Sequence, residues 1–343
     1  MKTVVSANDV VRAGRWSIVL HRRSIFIAIA LGACLFVSCA LSVSIGNGRT
    51  TGWTAVAALW DASDVAAWKI VHVLRMPRFV AGAVAGAALG LSGCLIQTLA
   101  RNRLATPDLV GVNDGATVAV LVTMLGSTSG ALGAWWAGPI GAVVAAMVVV
   151  LIAGSVGTTG YRVLVVGIGL SVTIDAVTNL VLARQSIDNA RGLFTWTLGY
   201  LNGRDYEIAI PTGIGVAILT PLVALSTRKL QLLRFNDDTA ETLGVSARRA
   251  RLLALSAAVL LAGLAVGVGG PITFVAMAAP ILASGMAGPR KIPIINSALV
   301  GAVLVTAADT AGRAVGEVEI PVGVLTSLLG GPFLLWVLLT RKV

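Results

Sequence analysis

The sequence predicts an all-α, polytopic membrane protein with about ten transmembrane helices. Three observations predict it. The 343 residues are 57% hydrophobic and only 12% charged, about half the charge share of a soluble domain. Apolar runs recur from end to end as Ala/Gly/Leu/Val blocks, without the period-2 alternation of a membrane β-barrel. The basic residues also sort to one side of the topology those runs define.

The spans fall near 24–46, 79–99, 108–127, 136–155, 162–183, 209–226, 252–269, 272–288, 293–312 and 321–340. Several are close to the minimum crossing length, which predicts broken or irregular helices among them. Placing the N-terminus in the cytoplasm puts about 18 Lys and Arg inside and about 8 outside. Both termini are therefore expected in the cytoplasm of a cell whose inner or plasma membrane holds the chain. The net charge of +11 is then a topological signal, and nucleic acid is not an expected partner.

Residues 1–23 are polar and basic and read as a cytoplasmic N-terminal segment. The apolar run after Arg22-Arg23 reads as a retained first helix, in preference to a signal peptide or a lipoprotein box at Leu31–Cys34. Residues 24–343 form one membrane domain. Cys34, Cys39 and Cys94 lie inside apolar segments without a CxxC pattern, so neither a disulfide framework nor a metal site is expected. There is no GxxxxGK[ST] and no HExxH, and the two histidines stand apart at His21 and His72. No catalytic residue, metal site or cofactor of the chain's own is expected.

Two loops are long enough to act. The outer one, 47–78, contains Trp53, Trp60 and Trp68. Its stretch 54–73 has helical periodicity and is expected at the membrane surface, with the indoles as interfacial anchors. It ends in Arg75 and Arg78 around Pro77. Arginine's planar fork suits the carboxylates of an extracytoplasmic protein; plain snorkelling at the interface is the bland alternative. The inner loop, 227–251, is the most charged stretch of the chain. Asn236, Asp237 and Asp238 offer helix N-caps, Gly244 a stop, and Ser246 a cap for the next helix. The pattern predicts a helix-turn-helix on the cytoplasmic face.

Inside the membrane, Asp175 shares a stripe with Ser171, Thr178 and Asn179, at i−4, i+3 and i+4. The stripe is either a wet translocation pathway or a buried hydrogen-bonded cluster. Asp309 and Arg313 stand at i, i+4 and are expected to pair, with Arg313 left over for a partner. Asp114 sits where it favours a helix dipole. Gly82, Gly86 and Gly90 recur every four residues, a pattern of close helix packing.

Together these segments resemble the FecCD family of permeases, the membrane subunits of importers for iron–siderophore complexes, haem and vitamin B12. The resemblance covers residues 70–340. It rests on RMPR at 75–78, GAALGLSGCLIQTLARNRLATPDLVGVNDGA at 86–116 and WTLGYLNGRDY at 196–206. It continues in ETLGVSARRARLLAL at 241–255, GGPITFVAMAAP at 269–280, AD at 308–309 and IPVGVLTSLLGGPF at 320–333.

The resemblance implies a type II ABC importer permease fold, one half of a dimeric pore for a ferric siderophore. It implies two cytoplasmic ATPase subunits, which bring ATP and Mg2+, and an extracytoplasmic binding protein. By motif, Arg75, Arg78 and Arg313 would meet the binding protein. Asp237, Asp238, Glu241, Thr242, Leu243, Gly244 and Val245 would couple to the ATPase. From the residues themselves, and not from the resemblance, Ser171, Asp175, Thr178, Asn179, Gly82, Gly86 and Gly90 are the expected pathway residues. WTLGYLNGRDY is most similar to the catecholate-siderophore branch, which favours a heterodimer with a homologous permease. One departure stands out: after Pro280 the family continues His-x-x-Arg, whereas this chain has Ile281-Leu282-Ala283-Ser284. From another class, a secondary transporter or channel without an ATPase would need coupling-ion carboxylates in several spans. Only Asp175 and Asp309 offer themselves, and the basic inner loop would have no purpose.

Overall fold

The computed structural model describes residues 8–13, 16–46, 50–125, 133–154, 160–233, 235, 237–288, 292–315 and 318–340. Strands β1 (Asn8–Ala13) and β2 (Trp16–His21) pair antiparallel, a hairpin within the segment read from sequence only as polar and basic. From there the described chain is helical. Its elements are α1 (Arg22–Ser44), α2 (Trp53–Ala57), α3 (Val65–Lys69), α4 (Met76–Ala100), α5 (Val112–Leu125), α6 (Ala137–Ala153), α7 (Gly160–Ala183) and α8 (Ile187–Thr197). They continue with α9 (Tyr206–Leu225), α10 (Thr227–Leu232), α11 (Asp237–Thr242), α12 (Ala247–Gly269), α13 (Thr273–Ala287), α14 (Ile294–Ala314) and α15 (Val322–Thr340).

Among the described residues, six helical stretches are long and apolar enough to cross a membrane. They are Arg22–Ser44, Val65–Ala100, Val165–Ala183, Tyr206–Leu225, Ala247–Gly269 and Ile294–Ala314. Four shorter apolar helices, Val112–Leu125, Ala137–Ala153, Thr273–Ala287 and Val322–Val337, occupy the remaining expected spans. This is a multi-pass membrane protein.

The outer loop differs from the single surface helix expected over 54–73. Asp61 accepts the Ser63 amide at 2.9 Å, and Asp64 accepts the amides of Ala66 and Ala67 at 3.0 Å. These bonds end one helix and start the next. α3 then runs through a π-helical turn, Ile70–Arg75, straight into α4. Trp53 and Trp60 are exposed, as interfacial anchors would be.

α4 is the axis of the subunit. It packs on α14, α12, α13 and α9, and nearly its whole length is buried. Small residues make this possible. A Cβ at Gly86 would lie 2.3 Å from the Gly301 carbonyl oxygen, and one at Gly301 would lie 2.1 Å from that of Gly86. Added Cβ atoms at Gly90 and Gly93 would lie 2.1 and 1.7 Å from the carbonyl oxygens of Ser297 and Ala276. In lipid, where apolar contact with tails is as good as contact with leucine, such backbone proximity and interhelical hydrogen bonds hold helices together. Ser38 donates to Thr306 at 2.8 Å, Ser92 to the Ala258 carbonyl at 2.7 Å, and Gln97 to the Met277 carbonyl at 3.1 Å. These bonds tie α1 to α14, α4 to α12, and α4 to α13.

Candidate functional sites at the two faces and on α7

At one end of α4, Arg78 donates from Nε to both oxygens of Asp309 at 3.1 Å and from Nη2 to Oδ1 at 2.9 Å. Its Nη1 reaches Glu319 at 2.9 Å. Asp309 also lies 3.3 Å from Arg313 Nε, one helical turn on. The Tyr200 hydroxyl donates to Glu319 at 3.2 Å, and the Arg78 guanidinium stands 6.0 Å from the centre of the Tyr200 ring. One buried carboxylate thus serves two arginines, and Glu319, which is partly exposed, closes the network at the rim.

The other arginine contacts cap a helix. Arg313 donates to the carbonyls of Ser42 and Ile45 at 3.1 and 3.0 Å and to the Ser42 hydroxyl at 2.8 Å. Arg75 donates to the Val43 carbonyl. The last carbonyls of a helix lack internal partners and carry its negative dipole end, so two guanidiniums at the end of α1 satisfy and neutralise them. The arginines expected to meet a binding protein are thus engaged within the subunit. Arg75, Arg78 and Arg313 are 7%, 7% and 9% exposed, and each already has acceptors. Arg313, expected to be left over for a partner, is the most heavily engaged with α1.

A further arginine escaped the sequence reading. Arg204, in the turn before α9, is 2% exposed, and none of its three side-chain nitrogens finds an acceptor among the described residues. Burial pushes its pKa down to about 10, partly offset by the neighbouring Asp205 carboxylate. The turn is wedged tightly: Gly199 donates no side chain, and a Cβ there would lie 2.7 Å from the Pro271 carbonyl oxygen. The string GRDY carried the residue; nothing in one sequence reveals that its side chain folds inward.

At the opposite end, the inner loop forms three short steps. α10 ends at Leu232, with Leu230 and the capping residue Leu233 buried. α11 then stops at Gly244, whose φ is +81°, with the Gly244 and Val245 amides bonded back to the carbonyls of Glu241 and Ala240 at 2.9 and 3.0 Å. This is the glycine helix stop the sequence predicted. Glu241, Thr242, Leu243 and Gly244 are exposed, whereas Val245 is half-buried against the core. Asp237 and Asp238 open α11; the expected cap Asn236 lies outside the described residues. Ser246 stands at the N-cap position of α12 without a side-chain cap bond, and α12 runs unbroken into the membrane.

The α7 stripe splits in two. Asp175 and Asn179 are exposed, and the Asn179 amide donates to the Asp175 carboxylate at 3.3 Å. Thr178 is buried and donates to the Ile174 carbonyl at 2.9 Å; Ser171 reaches the Asp108 carbonyl at 3.5 Å. Asp108, in the 3-10 turn Pro107–Val110, accepts from Asn113. Burial, then the neighbouring Asp114, pushes the Asp108 pKa up to about 7. Gly82, Gly86 and Gly90, expected along the pathway, face Leu201 and α14. Their small size is used up by packing inside the subunit.

The chain's residues 25–340 match the family described as the FecCD transport family. It is 34% identical to the ferric enterobactin transport system permease protein FepG of Escherichia coli K12, over 90% of this chain and 97% of that protein. It is 31% identical to the achromobactin transport system permease protein CbrC of Dickeya dadantii, over 96% of each. A solved chain of a metal-chelate type ABC transporter in an inward-facing conformation superposes with a TM-score of 0.79. It is 22% identical and covers 92% of this chain and 100% of the other, a likeness of fold. With ten apolar helices in the expected order among the described residues and nearly its full length matched, the chain belongs to the FecCD transport family.

Proposed function

We propose that this chain is the permease subunit of an ATP-driven importer for ferric siderophores, and that it forms half of the translocation pathway. The observation that carries the reading is the ridge Glu241–Gly244: exposed, fixed by a glycine stop, and continuous through α12 with a buried membrane helix. A lever that must push on a membrane helix needs an exposed contact joined rigidly to it. The family and the relatives' transport of enterobactin and achromobactin support the rest.

In this reading both termini are cytoplasmic, residues 24–343 form one permease domain, and 227–251 is the coupling segment. Two ATPase subunits bind there and bring ATP and Mg2+; this chain holds neither. A homologous permease completes the pore as a heterodimer, and a binding protein delivers the siderophore, catecholate or hydroxamate. Arg75, Arg78 and Arg313 serve docking by shaping the outer end. An acidic group of the binding protein reaches Arg78 by displacing Glu319, the partly exposed member of the network. Asp175 and Asn179 face the aqueous pathway, because a carboxylate turned to lipid at mid-helix costs about 2.5–3.5 kcal/mol.

Co-purification tests the reading. Expressed with an ATPase and a second permease from the same operon, the chain should retain the ATPase, and Leu243→Asp should release it. Retention by Leu243→Asp, together with normal uptake, would place the contact elsewhere.

A further inference from the structure

Arg101 ends α4 in a conformation that side chains avoid. Its φ is +51°, the sole positive φ of a non-glycine among the described residues. A left-handed conformation is strained for an arginine, and a glycine would adopt the same turn without strain. The side chain accounts for the arginine. From this turn Nε donates to the Leu233 carbonyl at 3.1 Å, and Nη2 donates to the Phe235 carbonyl. Both acceptors belong to the end of α10 and the link to α11, where carbonyls have no helical partner. The guanidinium fork bridges two of them at once, which an ammonium could not do in fixed geometry.

The helix behind this contact is stiff. α4 is 25 residues long, about 37 Å at the rise of an α-helix. It is locked to α14 by backbone contact at Gly86–Gly301 and Gly90–Ser297. At the outer end the same two helices share the Arg78–Asp309 pair. A single rigid pair thus holds the outer ion network at one end and the Arg101 clamp at the other. At the end of α10, Leu230 and Leu233 are buried beside the carbonyl that Arg101 holds.

We propose that Arg101 is the joint that transmits motion of the coupling segment to the α4–α14 pair, and through it to the outer network. The proposal rests on the reading that the ridge Glu241–Gly244 of the coupling segment meets the ATPase. It assigns to Arg101 a positioning role, one step removed from that contact.

The test uses the whole transporter, reconstituted in vesicles with its ATPase, second permease and binding protein. Arg101→Gly removes the clamp while keeping the turn, so misfolding is not the expected defect. ATPase retention and basal ATP hydrolysis should persist, while siderophore imported per ATP hydrolysed falls about tenfold, the scale of a lost coupling contact. Arg101→Lys, which keeps the charge but not the fork, should fall between the two, and it carries the test if the glycine variant does not purify. Wild-type import per ATP in Arg101→Gly, or in Arg101→Lys where that is the variant measured, would overturn the proposal. So would loss of the ATPase from Arg101→Gly, because Arg101 would then shape the contact itself. Leu243→Asp separates the premises: if it keeps the ATPase and imports normally, the coupling-surface reading fails whatever Arg101 does.

Discussion

Asp309 is shared by two arginines: Arg78 holds both of its oxygens from α4, and Arg313 approaches to 3.3 Å one turn further along α14. All three side chains are under a tenth exposed. Removing the carboxylate takes the shared counter-charge from two buried cations, leaving Arg78 to Glu319 and Arg313 to the acceptors at the end of α1; breaking a buried pair typically costs about 3–5 kcal/mol. Asp309→Asn should therefore lower the melting temperature of the purified protein sharply, while Glu319→Gln at the rim should lower it little. Equal melting of Asp309→Asn and wild type would show that the network does not hold the outer end together.

The α4 glycines predict a graded packing series. Gly93→Ala drives a methyl into the Ala276 carbonyl, and overpacking of this kind costs about 1–3 kcal/mol. Gly285→Ala, on α13 with nothing within 4 Å of its Cβ, should be neutral. Comparing both variants by thermal unfolding in one detergent checks the backbone contact directly.

Arg204 predicts an unusual gain. An unsatisfied buried polar group costs about 1–3 kcal/mol, more if charged. Arg204→Met keeps the length and removes the charge, so the isolated subunit should unfold at a higher temperature. A marked fall would mean that the guanidinium has an acceptor in solution.

Asp108 predicts a pH dependence with a definite sign. Its folded pKa is raised to about 7, above the ordinary aspartate value of 3.8. The protonated group therefore favours the fold, and that contribution is lost as pH rises through 7. Melting temperature should fall between pH 5 and 8 more steeply in wild type than in Asp108→Asn; parallel profiles would remove Asp108 as the cause.

The helices were legible because lipid imposes one pattern: every span must be long, apolar and internally bonded. The glycine stop at 244 was legible too, since a residue without Cβ before a capped basic helix has few other uses. Burial was not legible. Arg75, Arg78 and Arg313 stood out by type and topology, but whether a guanidinium faces water or a helix end depends on α1 and Asp309, far away in sequence. The outer loop was misread for a local reason: Asp61 and Asp64 break the helix, and the amphipathic count outweighed them. α8 and the N-terminal hairpin were missed, being too short to show a membrane signal.

The most direct test of the account is iron uptake into vesicles holding this chain, its partner permease and the ATPase, with binding protein and radiolabelled ferric siderophore outside. An ATP-driven permease gives uptake that requires ATP and Mg2+ on the ATPase side and that stops when either is withheld. Uptake that proceeds without ATP and follows an imposed ion gradient would contradict this mechanism.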